Sequence, residues 1–119
     1  MGKRILIVDD DVELCRELAE ILVHEGHSVD TVSDGKAGEV SIRNNAYDVI
    51  ILDYRMPGLD GIQMLKANRD VCLKSKVYIA TGRPFMDRLL ENERLSGLIA
   101  GVLSKPYDVE TLLSKINAP

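Results

Sequence analysis

Five short runs of β-branched and aliphatic residues recur along the chain, each parted from the next by a stretch of helical periodicity. That alternation restricts the fold more than any other feature. The runs are Arg4–Val8, Ser28–Ser33, Asp48–Leu52, Lys76–Ala80 and Ile99–Leu103. Strands joined through helices run parallel, because a parallel neighbour needs a crossover and not a tight hairpin. A parallel sheet is in turn covered by helices on both faces. Ile5–Val8 and Val49–Leu52 are almost continuously apolar, as central strands require, whereas Val29 and Val32 stand apart from Asp30, as on an edge. With right-handed crossovers, that pattern predicts an α/β, doubly wound (βα)5 three-layer sandwich with parallel strand order 2-1-3-4-5.

The helical stretches are uneven in strength. Asp11–Glu25 is the clearest: Leu14, Leu18, Ile21 and Leu22 share one face, and Gly26 follows as a stop. Lys36–Asn44 is weakest, since Gly38 lowers helical propensity. A third helix is predicted from about Asp60 to Val71, packing Ile62, Met64 and Leu65. A fourth starts near Pro84, with Met86, Leu89 and Leu90 opposite a charged face. The last follows Pro106, placed at a first-turn position where its missing N–H costs nothing, and packs Val109, Leu112, Leu113 and Ile116.

With 119 residues and no linker, repeat or low-complexity stretch, residues 1–119 are expected to form one domain. The net charge of −4 argues against direct nucleic-acid binding or a polybasic membrane contact. Cys15 and Cys72 read as free buried thiols, and no apolar run approaches membrane-spanning length. A cytoplasmic protein is expected. His24 and His27, near the end of the first helix, are expected to complement its dipole.

Chemistry gathers where the strands end. The first runs into Asp9-Asp10-Asp11, the third into Asp53, the fourth into Thr81 and the fifth into Lys105. In an open parallel sheet these positions share the carboxyl edge, and strands one and three meet at the switch point. Alone, Asp9-Asp10-Asp11 is explained by capping of the first helix, which is the expected role of Asp11. Alone, Thr81-Gly82 is a turn and Lys105 a surface lysine. Together they form a site. Crowded carboxylates raise one another's pKa unless a cation joins them, and Mg2+ suits oxygen ligands of this type. Beside such a cation Asp53 becomes a nucleophile toward phosphorus, with Lys105 pairing the phosphoryl charge and Thr81 bonding a phosphoryl oxygen.

The segments ILIVDDD (Ile5–Asp11), VIILDYRMPGLDG (Val49–Gly61), YIATG (Tyr78–Gly82) and SKPY (Ser104–Tyr107) resemble, in order and spacing, the receiver domain of two-component response regulators. The resemblance covers essentially the whole chain. It implies that Asp53 is the phosphoacceptor, carrying a 4-aspartylphosphate. It implies Asp10 as a direct Mg2+ ligand, Asp9 as its partner acting partly through water, and the backbone carbonyl of Arg55 as a further ligand. Thr81 and Lys105 take the switch-hydroxyl and phosphate-binding roles, and the Lys105–Pro106 bond is expected to be cis. The implied donor is a sensor histidine kinase, a phosphotransfer protein or a small acyl phosphate. The resemblance further implies that the chain catalyses its own phosphorylation and autodephosphorylation and is not a conventional enzyme. The surface of the fourth helix, fifth strand and fifth helix would then present itself to a downstream effector, or to a second copy in a phosphorylation-dependent homodimer.

Two departures stand out. Val102 occupies the place, three before the lysine, where the family usually carries an aromatic residue, and the Thr81–Lys105 stretch is slightly long. Arg55 and Arg83 flank the site at positions that vary in the family; screening of the phosphoryl group by one or both would prolong the phosphorylated state. Among rivals, a flavodoxin shares this flavodoxin-like architecture but needs aromatic surfaces and an exit from strand one that does not repel phosphate. An Mg2+-dependent phosphatase with an Asp nucleophile needs a second acid where Arg55 stands. A degenerate receiver acting as a constitutive binding module would lack part of the set Asp10, Asp53, Thr81 and Lys105.

Overall fold

The computed structural model describes residues 2–56, 59–84 and 86–118. Five parallel strands, β1 (Arg4–Val8), β2 (Ser28–Val32), β3 (Val49–Asp53), β4 (Lys76–Thr81) and β5 (Gly101–Ser104), form one sheet in the order β2-β1-β3-β4-β5. This is the predicted order. Every residue of β3 is buried, whereas no residue of β2 is, as befits an edge strand.

Period-two alternation divides the core into two layers. Leu6, Val8, Ile50, Leu52, Val77 and Ile79 face α2 (Gly35–Asn44), α3 (Gly61–Ala67) and α5 (Met86–Asn92). Ile5, Ile7, Val49, Ile51, Tyr78 and Ala80 face α1 (Val12–His24) and α6 (Val109–Asn117). Cys15, Leu18 and Leu22 complete the second layer from α1, and Leu112 and Ile116 from α6.

The helix starts are locally encoded. Asp11 accepts a hydrogen bond from the Leu14 N–H, and Asp60 and Gln63 form a reciprocal capping box at α3. Gly26, at φ +95°, ends the α1 turn in a conformation that costs glycine nothing.

Several expectations require correction. The third predicted helix breaks at Asn68 into α3 and a short α4 (Arg69–Cys72). Asn68 Nδ2 donates to the Met64 carbonyl, the same oxygen its own backbone N–H uses, and to Glu39, so the side chain competes with the helical ladder. The predicted fourth and fifth helices are therefore α5 and α6. Strand five begins at Gly101, not Ile99, after a 3-10 turn over Ser96–Leu98 that takes up the long Thr81–Lys105 stretch. Pro106 lies three residues before α6 and is not in its first turn; Val109, expected inside, is 39% exposed. His27 is no dipole complement. It is buried, its Nδ1 accepts from the Lys3 N–H and its Nε2 bonds Asn117 Oδ1, tying the residue before β1 to the end of α6. Pro57 and Gly58, within the segment Val49–Gly61 that carries the resemblance, and Phe85 lie outside the described residues.

Gly38 has a packing reason that propensity alone does not show. A Cβ there would meet Val8 Cγ1 at 2.9 Å and Met64 Cε at 3.1 Å, and Val8 is too stiff to move aside. Gly38→Ala should therefore destabilise the fold by about 1–2 kcal/mol despite alanine's better helical propensity. Urea unfolding checks this; an unchanged or raised midpoint would refute the close approach of α2 to β1.

Candidate phosphoryl and metal site

Strand register brings the strand-end residues to one level. Val8 pairs with Leu52, so Asp9 and Asp53 leave adjacent strands side by side. Asp53 pairs with Ala80, and Thr81 with Ser104, which sets Thr81 and Lys105 beside the same edge. The Lys105 N–H donates to the Thr81 carbonyl at 2.8 Å and fixes the fifth strand's exit.

The centre of the site is a shared ammonium. Lys105 Nζ lies 2.6 Å from Asp9 Oδ2 and 3.2 Å from Asp53 Oδ1. Asp9 and Asp53 are only 2% and 8% exposed. Asp10 is exposed beside them, and one oxygen from each of the three carboxylates lies within 4.8 Å of the others. Asp11 turns away and caps α1, as expected. Its N–H in turn donates to Asp9 Oδ1 at 3.0 Å and holds that carboxylate in orientation.

Burial and the neighbouring Asp9 push the Asp53 carboxyl up from 3.8 to about 6, although Lys105 pulls it the other way. Burial acts downward on Lys105, but its bonds to Asp9 and Asp53 outweigh that and hold the ammonium above its ordinary value. One lysine therefore does not neutralise two buried carboxylates. The donor set is all oxygen and carries excess negative charge, which fits a hard divalent ion such as Mg2+. Arg55 lines the surface between Asp53 and Asp10.

Beside Asp53 opens a cavity lined by Tyr54, Arg55, Thr81, Gly82 and Arg83. Thr81 is buried, and its Oγ1 accepts from the Arg83 N–H at 2.9 Å. The Arg83 guanidinium lies 5.7 Å over the Tyr54 ring and donates to the Tyr54 hydroxyl at 3.1 Å. Tyr54 was not singled out from the sequence. Its signal is an aromatic directly after Asp53 and a cation two after Thr81, at the ends of two adjacent strands. Val102 packs in the α2–α3–α5 layer and brings no ring there. Lys105–Pro106 is cis. Cys15 and Cys72 are both buried and unpaired, and burial raises Cys15 to about 12 and Cys72 to about 11, the fields of Asp9 and Asp70 respectively adding to it.

A family model for the response regulator receiver domain matches residues 5–117. The chain belongs to the response regulator receiver domain family. The transcriptional regulatory protein TcrA of Mycobacterium tuberculosis is 32% identical over 120 aligned positions, which cover 98% of this chain and 46% of that protein. Response regulator MprA of a Mycobacterium species is 35% identical over 121 positions, covering 99% and 50%. The chain thus spans about half the length of the curated relatives it matches. Among solved structures, the receiver domain of Francisella response regulator 1452 superposes with a TM-score of 0.86 at 28% identity, covering 98% of this chain and 94% of that one. Chemotaxis response regulator CheY4 of Vibrio cholerae gives 0.85 at 25% identity, covering 98% and 97%. Receiver domains typically bind Mg2+ at an acidic pocket, and phosphorylation-controlled signalling is their class of function. No helix among the described residues is long and apolar enough to cross a membrane.

Proposed function

We propose that this chain is a single receiver domain, residues 1–119, that accepts a phosphoryl group on Asp53. The observation that carries the reading is the sharing of Lys105 between Asp9 and Asp53 at the mouth of a cavity that also holds Thr81. An Asp53 carboxylate oxygen attacks phosphorus as the bond to the donor's nitrogen or acyl oxygen breaks, leaving an acyl phosphate. Lys105 turns part of its charge from the carboxylates to the phosphoryl oxygens, and Thr81 donates its hydroxyl to one of them. Asp9, Asp10, Asp53 and the Arg55 carbonyl would hold Mg2+, which when bound supplies charge screening for the incoming group. The added charge of roughly −2 biases the surface of α5, β5 and α6 toward the form an effector reads.

The donor is a sensor histidine kinase, a phosphotransfer protein or a small acyl phosphate. The reader is an effector protein or domain, or a second phosphorylated copy, with no direct nucleic-acid or membrane contact by this domain. A cytoplasmic setting suits such partners. Incubation with acetyl phosphate and Mg2+ should add one phosphoryl mass to the wild type and none to Asp53→Ala. A mass gain in both proteins would remove Asp53 as acceptor.

Arg55 and Arg83, at the rim of the same cavity, would screen the phosphoryl group and obstruct attacking water. Arg83→Ala, which also releases Tyr54, and Arg55→Ala should each shorten the phosphorylated lifetime several-fold. Equal lifetimes for wild type and both variants would end that idea.

A further inference from the structure

Tyr107 stands beside the site, but nothing above gives it a role. Its ring centroid lies 6.0 Å from Lys105 Nζ, within the range of attraction between an ammonium and an aromatic face. The partly buried side chain packs, as do Val29 and Leu113, against the α1–α6 core layer, which seats the ring as a wall beside the site. Lysine needs such a wall. Its ammonium is a point charge on a flexible stem, with no planar fork to fix its direction. Asp9 at 2.6 Å and Asp53 at 3.2 Å compete for it, and its side chain is 22% exposed, which leaves a route toward solvent.

The Tyr107 hydroxyl offers no alternative explanation. It is buried and has no hydrogen-bond partner among the described residues. Burial, with Asp9 and Asp53 adding to it, pushes the phenol up, so it carries no charge of its own. What the residue presents to Lys105 is its ring.

We propose that Tyr107 is a positioning residue: the face of its ring holds the Lys105 ammonium at the fork between Asp9 and Asp53. The consequence for phosphorylation rests on the phosphoryl-transfer reading above; the positioning itself does not. The ring limits how far the ammonium strays from the point where it must meet the incoming phosphoryl group, and so its loss slows transfer. A hydroxyl-free ring should serve equally well, whereas an aliphatic side chain that fills the same core space should not.

The test is a cycle of Tyr107→Phe and Tyr107→Leu, each made alone and with Lys105→Met. Asp53 phosphorylation by acetyl phosphate in Mg2+ is followed by intact mass. Tyr107→Phe should stay within about twofold of the wild-type rate, and Tyr107→Leu should fall about three- to tenfold. With Lys105→Met present, Tyr107→Leu should cause no further loss. A wild-type rate in the Leu variant, an equal loss in the Phe variant, or the same fold loss without the lysine would each overturn the proposal. The same cycle is read by urea unfolding of the unphosphorylated protein. There Tyr107→Leu should couple to Lys105→Met by about threefold or more in the unfolding equilibrium constant. Absence of that coupling overturns the positioning. Coupling in a wild type that takes no phosphoryl group upholds the positioning and removes the transfer reading instead.

Discussion

Asp53→Asn should make the metal-free protein more stable at neutral pH, by about 2–3 kcal/mol. The reason is the buried carboxylate, 8% exposed, whose pKa is raised to about 6 first by burial and then by Asp9. A raised acid pKa means that the folded state holds the proton more tightly than the unfolded chain does. Its favourable contribution is complete below 3.8 and is lost as pH rises through about 6. The wild-type protein in EDTA should therefore lose stability relative to Asp53→Asn across that window, and the two should converge toward pH 4. Thermal or urea unfolding of both proteins at pH 4.5, 6 and 7.5 reads this directly. Saturating Mg2+ should shrink or reverse the difference, because a bound divalent cation favours the charged carboxylate. A wild type more stable than Asp53→Asn at pH 7.5 in EDTA would mean that Lys105 outweighs burial and Asp9 together.

Lys105→Met should act in the opposite direction. It removes the ammonium from two carboxylates that are almost wholly buried and leaves them facing each other. Breaking a buried pair from one side typically costs about 3–5 kcal/mol, and proton uptake by Asp53 at mildly acid pH relieves part of it. The loss should thus be largest above pH 7, smaller near pH 5, and largely recovered in Mg2+. Phosphorylation by acetyl phosphate should slow by at least about tenfold, since the phosphoryl charge loses the half-buried ammonium beside Asp53. Combining Lys105→Met with Asp53→Asn should restore much of the stability, because one of the two buried carboxylates that faced each other is then gone. Strict additivity of the two changes would show that the lysine is not shared between the carboxylates.

The strand order, the central and edge strands and the strand-end residues were legible in the chain, because strand alternation and helix periodicity are local patterns that do not depend on tertiary contacts. The cluster of Asp9, Asp10, Asp53, Thr81 and Lys105 was legible for a related reason: in a parallel sheet, topology alone assigns strand ends to one edge. Helix integrity was less visible. Nothing in Asp60–Val71 shows that the Asn68 side chain will take the Met64 carbonyl, since that choice depends on Glu39 lying within reach across α2. His27 reads in the sequence as a residue near a helix end, yet Lys3 and Asn117, distant in sequence, meet its two ring nitrogens. Gly38 read as a weak helix position and is a contact distance.

By itself the sequence determined which residues end the strands, and hence which chemistry can meet at the sheet's carboxyl edge. Only the tertiary structure decided how one ammonium divides between two buried carboxylates, why Tyr107 lies against it, and that Arg83 pairs with Tyr54. Those outcomes turn on distances of a few ångströms between side chains from different strands and helices, and electrostatic and packing energies change steeply over such distances while the residue pattern does not.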